Sequence, residues 1–139
     1  MTPQQYERTQ AIAQRFIREL HRLESGDESA VESLALMFVD NGRLSNPMLE
    51  HEGRECCGRE EVAAFWRQYR KSFQEIHSEF LEVTVNPLAA GLFWRSRGKD
   101  AAGEPVDYHG VSLLMLNEAG HIQRFEGYFD SRQLERVAH

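Results

Sequence analysis

The chain has 139 residues, of which 41% are hydrophobic and 27% charged, and its net charge is -6. This length and balance fit one globular domain, predicted to cover residues 1–139, and the acidic charge argues against a nucleic-acid partner. No apolar run is long enough to span a membrane, and the start MTPQQYERTQ lacks the layout of a signal peptide. We therefore predict a cytoplasmic protein that binds neither nucleic acid nor membrane.

The first third of the chain has helical periodicity. Apolar residues recur every three or four positions from Gln4 to Glu24, which predicts one long amphipathic helix. The segment SGD at 25–27 ends this helix. Ser29 followed by Glu32 predicts a capping box that opens a second helix.

A strand and a third helix are predicted next. The segment FVDNGRLSNP reads as a turn and a short strand that Pro47 ends. A polar loop is predicted at 50–58. After it, apolar residues at helical spacing predict a third helix with an aromatic stripe: Val62, Phe65, Trp66, Tyr69 and Phe73.

After Ile76 the pattern becomes that of strands. Four strand-length runs are separated by turn-rich segments: HSEFLEVTVNP, LAAGLFWRSRG, VDYHGVSLLML and HIQRFEGYF. They predict an antiparallel meander, and Asp130 with Gln133 predicts the cap of a short closing helix in SRQLERV. The element order predicts an α+β domain, with three N-terminal helices packed on a strongly curved antiparallel sheet.

The two cysteines are adjacent, so they cannot build a disulfide framework. Cys56 and Cys57 lie near His51 and Glu52, which also offer metal-ligand atoms. No paired spacing completes a four-ligand shell. We predict reduced thiols in a polar loop, no metal and no cofactor.

In order and spacing these segments resemble the nuclear transport factor 2-like superfamily, and within it the SnoaL-like proteins, ketosteroid isomerases and limonene epoxide hydrolases. IAQRFIREL and SGDESAVESLALMFVDNGRLSNP are similar to the first two helices and first strand of that fold. GREEVAAFWRQY resembles its third helix, and NEAGHIQRFEGYFDSRQLERV its last hairpin, final strand and C-terminal helix. The resemblance implies a conical fold, but enzymes, binding proteins and structural partners all share that fold.

The residues at matching positions argue against two of these chemistries. Where ketosteroid isomerases carry the proton-shuttling carboxylate, this chain has Asn46, and their oxyanion donors correspond to Phe16 and Ser112. An amide cannot take the proton, and a phenylalanine donates no hydrogen bond. Epoxide hydrolases place a water between two aspartates, which here correspond to Gly127 and a position near Lys99. The resemblance therefore implies neither steroid isomerisation nor epoxide opening.

SnoaL-like polyketide cyclases use an aspartate as acid and base without a cofactor, and the resemblance does not place that residue here. The nearby acids are Asp107, Glu126 and Asp130. Asp130 is assigned to the helix cap, and strand alternation puts Glu126 on the opposite face from Phe125. Asp107 and His109 remain candidates for catalysis, although a strand histidine is also typical of a packed or interface position.

Strand alternation and the helical stripe predict the lining of the cone. The predicted ligand-binding residues combine aromatic rings with a few polar groups: Phe16, Asn46, Trp66, Tyr69, Tyr108, Ser112, Phe125 and Phe129. We predict that the cavity binds an apolar or aromatic small molecule. A cofactor-free cyclase, isomerase or hydrolase, a binding module without turnover, and a dimerisation module with a filled cone remain open.

The outward face of the last strands predicts a homodimer. It carries four apolar or aromatic side chains: Val111, Leu113, Met115 and Tyr128. Such a face is too apolar to remain in water unless a partner covers it.

Overall fold

The computed structural model describes residues 3–134. Within this range, all four complete helices come before the last four strands of the sheet. The elements are α1 (Pro3–Glu24), α2 (Ser29–Leu36), β1 (Phe38–Ser45), α3 (Pro47–His51), β2 (Cys56–Cys57), α4 (Arg59–Lys71), β3 (Phe73–Asn86), β4 (Ala89–Asp100), β5 (Pro105–Leu116) and β6 (Ile122–Phe129). Residues 132–134 are helical, so the predicted closing helix begins here and its remainder lies outside the described residues.

The strands form one sheet in the order β2-β1-β6-β5-β4-β3. Strands β3 to β6 make the predicted antiparallel meander, whereas β1 lies parallel to β6. Register shifts between β3 and β4 and between β5 and β6 mark irregularities that bend a sheet. The predicted α+β class and the helices packed against the sheet are confirmed.

The core lies between the helices and the inner face of the sheet. α1 packs against α2 and β3, and α2 packs against α4. The fully buried large side chains come from helices and strands alike: Phe16, Leu23, Leu34, Phe38, Leu44, Val62, Leu92, Leu114 and Ile122. None of the described helices combines the length and apolarity needed to span a bilayer.

Two predicted details at the ends of helices are wrong. Ser29 and Glu32 do not form a capping box, because Asp27 Oδ1 accepts hydrogen bonds from the Ser29 backbone N–H and hydroxyl instead. α4 ends at Lys71, and Phe73 begins β3 rather than closing the aromatic stripe.

The segment predicted as the 50–58 loop contains regular structure. The short helix α3 occupies its start, and β2 pairs with β1 near its end. Both elements are too short for hydrophobic periodicity to reveal them. They matter because they border the cavity described below.

Candidate functional site

A cavity of about 930 Å³ lies between α1, α4 and the inner face of the sheet. This volume is within the range of small-molecule sites. All eight residues predicted to bind a ligand line it: Phe16, Asn46, Trp66, Tyr69, Tyr108, Ser112, Phe125 and Phe129. Their role in binding stays a prediction, but the structure brings all eight to the lining of one cavity.

Aromatic rings form the apolar part of this wall. The Phe16 and Phe125 ring centroids are 5.6 Å apart, and Trp66 packs edge-on against Phe125 at 5.5 Å. All three side chains are buried. These rings fill part of the core, as a module with a filled cone would require, but they leave the cavity open beside them.

Asn46 has a structural role in addition to its place in the lining. It is the N-cap of α3, and its Oδ1 accepts a hydrogen bond of 2.8 Å from the Leu49 backbone N–H. Pro47 follows at the first helical position. Asn before Pro is a typical helix start, which the sequence analysis overlooked. Because Oδ1 is occupied, the carboxamide NH2 is the group left to donate to a ligand.

Two polar side chains of the sheet pair with each other inside the cavity. The Trp94 Nε1–H donates to Ser112 Oγ over 2.9 Å, and both residues line the cavity. Ser112 thereby accepts one hydrogen bond and keeps its own hydroxyl proton to donate.

Glu24 is the buried carboxylate that the sequence analysis missed. Only 5% of its surface is exposed, at the C-terminal end of α1. Oε1 accepts from the Ser78 backbone N–H over 2.8 Å. Oε2 accepts from the hydroxyls of Ser78 and Tyr69, each over 2.6 Å. Glu24 lies four residues after buried Leu20 and therefore on the same face of α1. An acid on the apolar face of a helix was the sequence signal that could have indicated a buried carboxylate.

The hydrogen bonds continue from Glu24 into the cavity lining. Ser96 Oγ lies 2.6 Å from Ser78 Oγ, whose proton points to Glu24, so Ser96 is the donor of that pair. Burial raises the pKa of both nearby tyrosines, Tyr69 and Tyr108, and the charge of Glu24 raises the Tyr108 pKa further. Both phenols are therefore neutral near pH 7.

The two catalytic candidates, Asp107 and His109, are not among the lining residues. They flank inward-facing Tyr108 on β5, so their side chains lie on the outer face. Asp107 accepts two hydrogen bonds from Arg95, at 2.7 and 2.9 Å, and this guanidinium lowers the Asp107 pKa. The His109 backbone N–H donates to the Gln133 side chain. Neither residue is placed to act on a molecule in the cavity.

The other two acids considered also have partners on the surface. Glu126 is bonded to Arg124 and Tyr128, as expected for the face opposite Phe125. Asp130 accepts from the Arg132 backbone N–H. The Asp130 carbonyl also accepts from the Gln133 backbone N–H over 3.0 Å, so Asp130 caps the start of the closing helix, whereas the Gln133 side chain reaches β5 instead of returning to Asp130.

Possible metal-ligand atoms of His21, Glu24 and His77 lie within 4.8 Å of one another. The two imidazole rings are stacked, 5.2 Å apart and inclined by only 21°, so their in-plane lone pairs do not converge. His21 Nε2 is also within 2.8 Å of the Ser78 carbonyl, and Glu24 already accepts three hydrogen bonds. This geometry is that of a packed histidine pair.

The two cysteines are not bonded to each other, and Cys56 is buried whereas Cys57 is exposed. Cys56 lines the cavity next to α3, and burial raises the pKa of its thiol. A thiol of raised pKa is a poor nucleophile, which fits a packed side chain.

The sequence profile of the SnoaL-like domain matches residues 13–125. The chain is a member of the SnoaL-like family. The match begins within α1 and ends at Phe125 in the middle of β6, so it includes every element from α2 to β5 in full. No curated protein matches the chain in sequence.

Solved structures share the fold of this SnoaL-like protein. An NTF2-like protein of unknown function from Exiguobacterium sp. 255-15 is 21% identical, with a TM-score of 0.71 over 86% of this chain and 98% of that one. One from Burkholderia pseudomallei K96243 is 18% identical, with a TM-score of 0.78 over 94% and 96%. A SnoaL-like protein from Jannaschia sp. CCS1 is 16% identical, with a TM-score of 0.80 over 99% and 94%. At this identity the likeness establishes the fold alone.

Proposed function

We propose that this SnoaL-like protein binds an apolar or aromatic small molecule in its cavity, without turnover. The observation that carries the proposal is an open volume of about 930 Å³ with aromatic rings in its wall and with polar groups, Asn46 and Ser112 among them, that keep a hydrogen-bond donor for a ligand. Burial of an apolar ligand there is favourable because it removes apolar surface from water. Asn46 and Ser112 offer donors that orient the ligand.

Binding is favoured over catalysis because acids in and beside the cavity accept hydrogen bonds from the protein. Near Asn46, the Glu52 carboxylate is held by Arg54 over 2.6 Å, and Glu61 accepts from a backbone N–H of β2 over 2.9 Å. Glu24 accepts three hydrogen bonds. A general base needs a lone pair directed at the substrate, whereas the protein holds one oxygen of Glu52 and of Glu61 and both oxygens of Glu24.

Titration with the neutral fluorophore N-phenyl-1-naphthylamine is expected to give a micromolar Kd, worth about 8 kcal/mol. Gly127 lines the cavity, and an added Cβ there would meet its nearest neighbour, Asn46 Cβ, at 3.5 Å. The variant Gly127→Val should fold but lose cavity volume, and its affinity should fall about tenfold.

The matched control is Ala102→Val, which adds the same kind of bulk to an exposed turn. Its affinity should equal that of the parent. Absence of probe binding to the parent protein would refute the proposal, as would equal affinities of the parent and Gly127→Val.

We also propose that the outer face of the sheet is covered by a second copy of this chain. Phe93, Val111 and Tyr128 lie side by side across β4, β5 and β6, and Met115 continues the patch along β5. Phe93, Met115 and Tyr128 are 43%, 40% and 46% exposed in the single chain. A contact of about 800 Å² per partner is typical of a stable dimer.

Sedimentation should show a dimer at micromolar concentration. Phe93→Glu should shift the protein to the monomer, because the dimer would bury an unpaired charge. Leu36→Glu, on the exposed end of α2 among the helices, is the control and should leave the dimer intact. A monomeric parent protein would overturn this proposal without affecting the ligand proposal.

A further inference from the structure

The direction of the Tyr69 hydroxyl proton determines what the cavity offers to a ligand. Tyr69 donates its proton to Glu24 Oε2 over 2.6 Å, and a carboxylate can only accept. Tyr69 lines the cavity, and a ligand that reaches its phenol oxygen therefore meets lone pairs rather than a proton. Tyr69, Ser78 and Ser96 form the polar pocket of the cavity beside Glu24. We infer that this polar pocket selects ligands carrying a hydroxyl or ammonium donor and discriminates against carboxylates. This inference rests on the proposed function and names the class of its ligand.

The other partners of Glu24 hold the proton of Tyr69 in this direction. The Ser78 backbone N–H can only donate, and it fixes Oε1 of the carboxylate. The Ser78 hydroxyl donates to Oε2, and Ser96 donates to Ser78 behind it. Every proton in this series of hydrogen bonds points toward Glu24. A ligand atom that reaches Tyr69 therefore meets an acceptor backed by a negative charge.

Charge on the rest of the lining acts in the same sense. Among the described residues that line the cavity, the acids outnumber the single cation, Arg54. Those acids are Glu52, Glu55, Glu61 and Asp100. Arg54 is already paired with Glu52 over 2.6 Å, so a ligand carboxylate moved to the Asn46 side meets no unpaired cation among the described lining residues.

The variant Glu24→Gln should reverse the hydrogen-bond direction with little change of shape. Because the Ser78 backbone N–H cannot accept, the amide oxygen must take the place of Oε1. The amide NH2 then replaces Oε2 and donates to the hydroxyl oxygens of Ser78 and Tyr69. Tyr69 is freed to donate into the cavity, and the buried charge is gone.

The experiment compares 2-naphthol with 2-naphthoate, which share one ring system and differ in the polar group. Calorimetry near neutral pH on the parent protein should give a Kd at least tenfold lower for 2-naphthol. In Glu24→Gln this ratio should fall below about threefold, chiefly through tighter binding of 2-naphthoate. Glu28→Gln, which removes an exposed charge just beyond α1, should keep the parent ratio.

The possible outcomes separate the inference from the proposed function. If neither naphthalene compound nor N-phenyl-1-naphthylamine binds, the proposed function fails. If 2-naphthoate binds as tightly as 2-naphthol, the cavity is a binding site but the inferred selectivity is wrong. An unchanged ratio in folded Glu24→Gln would overturn the role of Glu24. Should that variant not fold, the parent ratio alone supports or refutes the selectivity.

Discussion

Replacing Gly110 with alanine is expected to unfold the domain or to lower its free energy of unfolding by more than about 4 kcal/mol. A Cβ at this position would lie 2.2 Å from the Tyr128 carbonyl oxygen and 2.9 Å from both Trp94 Cζ2 and Phe129 Cβ. The nearest of these is backbone, which cannot rotate away. The added methyl group would therefore push β6 off β5 and displace two rings of the cavity wall.

Gly127→Ala is the matched control, because it lies on β6 opposite Ser112 of the same strand pair. Its added Cβ would meet its nearest atom at 3.5 Å, an ordinary contact. Urea unfolding followed by circular dichroism should therefore find it within about 1 kcal/mol of the parent. If both variants lost the same free energy of unfolding, the close approach of β6 to Gly110 would not be the reason for glycine at that position.

The order of the larger elements could be predicted from hydrophobic periodicity and turn residues, because these are local signals. The amphipathic pattern between Gln4 and Glu24 marks α1 almost to the residue. Helix α3 and strand β2 escaped prediction because five and two residues are too few for a periodic pattern. The parallel pairing of β1 with β6 depends on contacts between distant segments, which periodicity does not encode.

Strand alternation also accounts for the part of the cavity lining that could be predicted. It puts Tyr108 and Ser112 on one face of β5, and their neighbours Asp107 and His109 on the other. The register of β5 was uncertain from sequence, so both of these remained catalytic candidates. The structure resolves this ambiguity by placing Tyr108 in the lining and pairing Asp107 with Arg95 outside.

The polar pocket around Glu24 could not be predicted because its partners are far apart in sequence. Ser78 lies 54 residues beyond Glu24, and Tyr69 lies 45 residues beyond it. β3 is an edge strand, and its Ser78 N–H and C=O are bonded by Glu24 and His21 of α1. The C-terminal end of α1 thus covers the free edge of β3 and places the Glu24 carboxylate beside the cavity.

The variant Glu24→Ala is expected to lower the free energy of unfolding by about 3 kcal/mol, because it leaves the buried Ser78 N–H without an acceptor and removes two further hydrogen bonds. Glu24→Gln keeps an acceptor for that N–H and should cost only about 1 kcal/mol. Glu7→Ala, at an exposed position of the same helix, should change the free energy by less than about 0.5 kcal/mol. Urea denaturation of the three variants beside the parent measures these differences. If Glu24→Ala were as stable as Glu7→Ala, Glu24 would not anchor α1 to β3, and the direction of the Tyr69 proton would lose its physical basis.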